Sequence, residues 1–180
     1  MTVLFEKTRW NATAEKMKSG DKEAAGKIFD HFSPLIYRYF MGKTLNRPVS
    51  EDLTQDVFLK VIDKIGTFDK KTGNFTAWIW KIAKNRLIDH YREKKSVPLY
   101  EFMIEGDEPS AGPETIHKKI LAEDISRAVK SLKPEEQEIF SLYYFADLPY
   151  KEISRLTEKT EGALRILIHR TNNKLKKILR

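Results

Sequence analysis

Residues 75–92, FTAWIWKIAKNRLIDHYR, combine the two side-chain classes that nucleic-acid binding uses. Cations track phosphates, and aromatic rings stack on unpaired bases. At about 100° per residue, Lys81, Lys84, Asn85, Ile88 and Arg92 share one strip of a helix. Trp78, Ile79, Ile82, Ala83 and Leu87 spread over a wide apolar arc, with Trp80 and Tyr91 at its edge. Taken alone, this helix equally suits a core element whose lysines lay their stems on apolar surface. The loop before it, 68–75, carries Lys70-Lys71-Thr72-Gly73-Asn74, which has turn chemistry and positive charge. Loop and ridge together place cationic, hydrogen-bonding and aromatic groups side by side.

A second constellation lies just upstream. Ser50 is expected to open a helix, with Glu51 and Asp52 in its first turn. Leu53, Val57, Phe58, Val61, Ile62 and Ile65 make one apolar arc. The opposite face carries Asp52, Gln55, Asp56 and Asp63, with Leu59 in its middle. Such a face suits docking to a basic protein partner; the plain alternative is a solvated acidic face with one stray leucine. Asp52 and Asp56 stand four residues apart, but no third ligand of suitable spacing follows, so no metal site is expected.

The third constellation is near the C-terminal end. PYKEISRL reads as a short helix, residues 157–159 turn the chain, and Thr160 caps a longer helix that is basic towards its end. Two helices joined by a tight turn read as a helix-turn-helix; the plain alternative is a helical hairpin with a solvated basic tail. The N-terminal turns of the second helix would enter a major groove. Glu161, Arg165 and His169 are its polar candidates, with Arg165 able to bond a guanine edge. Arg170, Lys174 and Lys177 suit phosphates, and Lys151, Thr160 and Gly162 complete the positions expected at DNA.

Composition narrows the partners. The 180 residues carry a net charge of +7, which favours a polyanionic partner. The charge is uneven: residues 1–95 hold 19 Lys+Arg against 12 Asp+Glu, residues 96–115 hold none against 5, and residues 116–180 hold 14 against 9. Two basic blocks are thus joined by an acidic bridge. The absence of cysteine excludes disulfides and thiolate chemistry, and the four histidines show no metal-ligand spacing. No convincing acid, base or nucleophile set appears, so neither catalysis nor a cofactor is expected. No apolar run approaches a membrane span of about 20 residues. The first residues, MTVLFEKTRW, lack the apolar core of a signal peptide, so no membrane insertion is expected and the cytoplasm is the expected compartment.

The elements that must position these groups are helical throughout. A helix over 8–31, interrupted or restarted at Gly20-Asp21, offers Met17, Ala24, Ala25, Ile28 and Phe29; Ser33-Pro34 is expected to start another, LIYRYFMGKTL, ended by Asn46-Arg47-Pro48. Residues 96–115, with three prolines and two glycines, read as a flexible linker. A helix over 116–132 places Ile120, Leu121, Ile125, Ala128, Val129 and Leu132 on its apolar side, and Pro134 and Pro149 each begin another. The expected fold is all-α: a domain over 1–95, the acidic linker 96–115, and a helix-turn-helix domain over 116–180.

EDLTQDVFLKV followed by GNFTAWIWKIAKNRLIDHYREKK resembles, over more than thirty positions, the first conserved domain of an extracytoplasmic-function (ECF) sigma factor of the bacterial sigma-70 family. LKPEEQEIFSLYYFADLPYKEISRLTEKTEGALRILIHRTNNKLKKIL resembles the second, with Tyr150, Glu152, Ile153, Glu161, Gly162 and Arg165 fitting its pattern. Ile166 and Leu167 depart from it, since the family usually has polar residues there, which leaves the base preference open. The resemblance covers roughly residues 15–95 and 116–180. It implies a transcription initiation factor without catalytic residues. It implies that Asp52, Gln55, Asp56, Phe58 and Leu59 dock on core RNA polymerase. It implies that Lys70, Lys71, Asn74, Trp78, Lys81, Lys84, Asn85 and Arg92 capture the start-proximal promoter element as single-stranded DNA, one base being extruded beside the 70–74 loop. The second domain would bind the far-upstream element as duplex, the linker would thread polymerase channels, and an anti-sigma factor would mask the polymerase-binding faces. A stand-alone helix-turn-helix regulator is the alternative; it explains residues 134–177 but gives the Asp52–Leu59 face and the aromatic ridge no purpose. A metal-dependent nuclease would need a clustered ligand set that the sequence does not supply.

Overall fold

The computed structural model describes residues 2–71, 73–94, 128–129 and 131–178, without the side chains of 2–8 and 94. The expected linker and most of the expected 116–132 helix lie outside these residues. The chain divides into two compact units, Met1–Leu99 and Tyr100–Arg180. Among the described residues every regular element is a helix.

The first unit is built from α1 (Thr2–Lys18), α2 (Lys22–Thr44), α3 (Arg47–Lys64) and α4 (Phe75–Lys94), with a 3-10 turn at Ile65–Thr67. The expected interruption after α1 is real: Gly20 adopts φ +95°, a conformation glycine takes without a Cβ clash. Asp21 then caps α2, its carboxylate accepting from the N–H groups of Glu23 (2.9 Å) and Ala24 (3.1 Å). Met17 and Ala25 are half-buried, while Phe29, expected on the apolar face, is exposed.

Two expected helix starts are corrected. Ser33-Pro34 does not restart a helix, because α2 runs through Pro34. The missing N–H would have bonded the carbonyl of Asp30, and both residues lie on the solvent side, where water can serve that carbonyl. The buried stripe of Ile28, Phe32, Ile36, Tyr39 and Phe40 meanwhile needs one continuous helix. Nor does Ser50 open α3. Leu45, in the left-handed region, ends α2, and the Asn46 side chain caps α3 by accepting from the N–H of Val49 (3.0 Å). Pro48 occupies the first turn in place of Glu51 and Asp52, and Ser50 is buried, its hydroxyl donating to the carbonyl of Asn46 (2.7 Å).

The core of this unit is an aromatic cluster gathered round α4. Trp80, expected at the edge, is fully buried and meets Tyr39 edge-on (5.4 Å, 87°). Phe75 sits between Phe32 (5.7 Å) and Phe68 (5.5 Å), again edge-on. Trp10 of α1 stacks on His31 (4.4 Å, 26°) and closes the other side. Such ring pairs add about 0.5–1.5 kcal/mol each to the burial of their surfaces.

The second unit contains α5 (Pro134–Tyr144), α6 (Tyr150–Thr157) and α7 (Glu161–Ile178). Ala128, Val129, Leu132, Phe140 and Leu175 form one core cluster, with Phe145 against it. Ile153 of α6 and Leu164 and Ile168 of α7 are buried as well. Asp147 and Glu158 take positive φ (54° and 59°) at the two connections. Thr160 caps α7, its hydroxyl accepting from the N–H of Ala163 (3.2 Å). The eight-residue α6, a short turn and the longer α7 thus make the expected helix-turn-helix pair.

Trp80→Ala is expected to lower the unfolding free energy by about 3–5 kcal/mol in a denaturant titration. Trp80→Phe keeps a ring and removes an indole N–H that has no partner among the described residues. It is expected to cost less than about 2 kcal/mol. Equal costs would contradict this packing.

Candidate polymerase and nucleic-acid interfaces

In the first unit, α3 and α4 lie side by side, and two ion pairs fix their relative rotation. Arg86 donates to Asp56 (2.7 Å) and reaches Glu93 (3.5 Å), while Lys60 faces Asp89 (3.8 Å). Burial works against the Arg86 guanidinium, but the hydrogen bond to Asp56 and its charge outweigh that, so Arg86 holds its proton more firmly than usual. Asp56, a docking candidate, is therefore already tied to the helix that carries the ridge. With this rotation set, Asp52 and Gln55 are exposed, and Leu59 stands 65% exposed beside them.

Two expectations about this face are corrected. Ile62, assigned to the core arc, is 62% exposed. Phe58, assigned to docking, is buried; half of Phe29 lies exposed instead, packed edge-on against the Phe58 ring (4.8 Å, 60°). The helical period alone puts Phe58 and Ile62 on one face, but α2 covers only its Phe58 side. Leu59 and Ile62 are thus exposed on α3 among Asp52, Gln55 and Asp63, with Phe29 of α2 exposed beside Phe58.

On α4, Lys81, Asn85, Ile88 and Arg92 are exposed along one strip, and Lys84 is half-buried within it. Tyr91, half-exposed, donates its hydroxyl to the carbonyl of Lys43 (2.9 Å). The loop leading into α4 is tightly made. The N–H of Gly73 donates to the carbonyl of Asp69 (2.8 Å), and that of Lys71 to the Asp69 carboxylate (2.9 Å). A Cβ on Gly73 would stand 2.7 Å from the Asp69 carbonyl, so the turn admits only glycine without shifting. Asn74 turns its side-chain oxygen to the N–H of Ala77 (3.4 Å) at the start of α4. Trp78 is half-buried, stacked on Phe75 (5.6 Å, 30°) and tilted against Phe68 (5.9 Å). Lys70 and Lys71 project from the loop, Lys70 towards Glu15 (3.8 Å).

In the second unit, the reading candidates on α7 are organised by aromatic contacts. The Arg165 guanidinium lies over the ring of Tyr150 (5.5 Å), which stacks on Tyr143 (4.9 Å, 22°). Burial and the hydrogen bond with Tyr143 push the Tyr150 hydroxyl up to about 12. Glu161 reaches Arg165 at 3.9 Å, and His169 pairs with Asn173 (3.5 Å). Gly162 and Thr160 are exposed, Lys151 is half-buried, and Ile166 is 60% exposed on the same helix.

Arg170 and Lys174 do not share the Arg165 strip. Lys174 follows Arg165 by nine positions, about half a turn away at 100° per residue. It pairs with Glu136 of α5. Both line a cleft of about 480 Å³ with Lys133, Asn173 and Lys177. The Glu136 carboxyl sits below the usual glutamate range, because Lys174 and the N–H of Lys133 favour its charged form more than burial opposes it. The sequence reading missed Asn11, Arg86 and Glu136, and it placed Phe29 on an apolar face where the structure leaves it exposed. Each acts across a tertiary contact that no local spacing announces. Among the described residues no group of acids or histidines that could hold a metal occurs, and no helix is long and apolar enough to cross a membrane.

The sigma-70 region 2 family matches residues 28–97, and the sigma-70 region 4 family matches residues 122–175. The two regions occur here in the order and on the units just described. The chain belongs to the ECF sigma factors of the sigma-70 family. It is 29% identical over 178 residues to the ECF RNA polymerase sigma factor BldN of Streptomyces coelicolor, covering 97% of this chain and 67% of BldN. It is 26% identical over 180 residues to the ECF RNA polymerase sigma factor RpoE of Cereibacter sphaeroides, covering 98% of each. Its fold is similar to that of CnrH, solved in complex with the cytosolic domain of CnrY, at a TM-score of 0.70 and 18% identity over 94% of this chain and 96% of CnrH.

A pH prediction follows from Glu136. Its depressed folded-state pKa gives stability that is present above the unfolded value of about 4.3 and lost as pH falls through the folded value. The difference in unfolding free energy between the natural chain and Glu136→Gln is therefore expected to shrink on acidification from about pH 6 to about pH 3. A pH-independent difference would show that the Lys174 pair does not form.

Proposed function

We propose that this sigma factor docks on core RNA polymerase through α3 and reads promoter DNA through the 70–74 loop, the α4 ridge and α7. As a transcription initiation factor it binds polymerase and promoter; polymerase performs the chemistry, and this chain needs no catalytic residue or cofactor of its own. The observation that carries the reading is a pair of chemically different surfaces on one compact unit: an apolar–acidic face on α3 and a cationic–aromatic ridge on α4, cross-linked by Asp56–Arg86. A stand-alone regulator would need only the second unit. The domain limits 1–95, 96–115 and 116–180 belong to the same proposal.

On the polymerase side, Asp52, Gln55, Asp56 and Leu59 make contact, with Phe29 and Ile62 extending the patch and Phe58 supporting it from beneath. On the DNA side, Lys70, Lys71, Lys81, Lys84 and Arg92 neutralise phosphates of the start-proximal element. Asn74, Asn85 and Trp78 border the extruded base, whose unstacking costs a few kcal/mol. In α7, Glu161, Arg165 and His169 face the major groove of the far-upstream element, with Lys151, Thr160 and Gly162 at the backbone. Arg170 and Lys174 flank that strip rather than sharing it. Ile166 offers an apolar contact for a thymine methyl where the family usually presents a polar group. The apolar patch on α3 also suits an anti-sigma factor, which would then compete with polymerase.

Leu59→Glu is expected to weaken binding of the full chain to sigma-free core polymerase by about tenfold or more, as loss of a central apolar anchor does. The same variant is expected to leave far-upstream duplex binding unchanged in a mobility-shift assay. Unaltered polymerase affinity would remove α3 as the docking face.

A further inference from the structure

The loop that this reading gives to base capture is not shaped by its own sequence alone. Asn11, on α1, is buried at 8% exposure, and both ends of its side-chain amide hydrogen-bond to the backbone of this segment. Its Nδ2 donates to the carbonyl of Gly73 (3.0 Å) and, at longer range, to that of Lys70 (3.5 Å). Its Oδ1 accepts from the N–H of Phe75 (2.8 Å), the first residue of α4. One side chain therefore ties both arms of the loop to each other and to the helix that follows. The Phe75 N–H is also one of the donors that a helix start leaves without an internal partner.

Two more α1 side chains act on the same segment. Lys18 donates to the carbonyl of Phe68 (3.0 Å), and Glu15 faces Lys70 (3.8 Å). Asn11, Glu15 and Lys18 stand at i, i+4 and i+7, the spacing of one helix face. That face meets the loop with polar groups, while Trp10 and Ala14 carry the apolar packing of α1. Residues 2–18 precede the stretch that matches sigma-70 region 2, which starts at residue 28.

We propose that Asn11 is a positioning residue for promoter recognition: it presets the 70–74 loop in the shape that accepts the extruded base, so that α1 contributes to base discrimination without touching DNA. This rests on the loop's role in the proposed function. A preset loop has its ordering cost met on folding rather than on binding, and a loop held in one shape cannot adapt to a mismatched base. Without Asn11 the loop keeps its charges but loses the frame that aims them.

The test uses the full chain, core polymerase, and a promoter recovered from genomic fragments by transcription with the unsubstituted protein. Single-stranded fragments of its start-proximal element, matched or altered at one base, are titrated against the assembled complex. Asn11→Asp keeps the acceptor for Phe75 but sets oxygen against the carbonyls of Gly73 and Lys70; Asn11→Ala removes all three bonds. Both are expected to reduce the matched-to-altered affinity ratio by about tenfold, while polymerase affinity and far-upstream duplex binding stay within about twofold. Gly73→Ala, which distorts the loop from within, is expected to reproduce the loss. An unchanged ratio for both Asn11 variants, with Asn74→Ala lowering it, would overturn the role of Asn11 alone. If Asn74→Ala also left it unchanged, the loop's role in base capture would fall with it. A parallel loss of polymerase binding in the Asn11 variants would reduce Asn11 to a folding residue and equally overturn the proposal.

Discussion

Burial of the aromatic face of α4 is the constraint on which the rest of the first unit depends. Phe75, Ile79, Trp80, Ala83 and Leu87 are all buried against the other helices, which fixes the rotation of α4 about its axis. A helix so fixed has no freedom in what it presents outward: Lys81, Asn85, Ile88 and Arg92 must face solvent. The polar ridge is a consequence of the core. The same burial brings Arg86 against Asp56 and Asp89 against Lys60, so the rotation of α3 is set by α4 as well. Two surfaces with different chemistry are therefore held in one frame, and a partner on one meets the other at a fixed distance.

The second unit solves a similar problem with fewer residues. Leu164, Ile168, Thr171 and Leu175 bury one face of α7, which leaves Arg165 and His169 exposed beside it. Arg165 is not left to wander, because Tyr150 and Tyr143 form a stacked platform beneath it. The exposed Ile166 beside it has no polar function to offer.

Much of this was legible in the sequence, and what was not has identifiable causes. Helical periodicity placed Lys81, Asn85, Ile88 and Arg92 on the exposed strip of α4 but set Trp80 at the edge of an arc that buries it, while turn chemistry was sufficient for Gly20, Asp21 and Thr160. Periodicity failed at Phe58 and Ile62, because it gives a face but not how far a neighbouring helix covers it. Local rules failed at Ser33-Pro34 and at Ser50. In the first case a buried stripe kept the helix whole; in the second, Asn46 and Pro48 offered an earlier cap. The family resemblance rested on long stretches of matching residue types, so it survived these errors of detail. Asn11 and Glu136 were invisible for a different reason: each matters through partners 38 to 64 residues away in the chain.

The central claim, that this chain directs core polymerase to promoters, is tested most directly by reconstituted transcription. Sigma-free core polymerase is supplied with a library of genomic fragments, with and without the chain. Discrete transcripts that appear only when both are present, with start sites sharing two upstream elements, are the expected result. Stable polymerase binding without such transcripts, or duplex binding without polymerase binding, would contradict it.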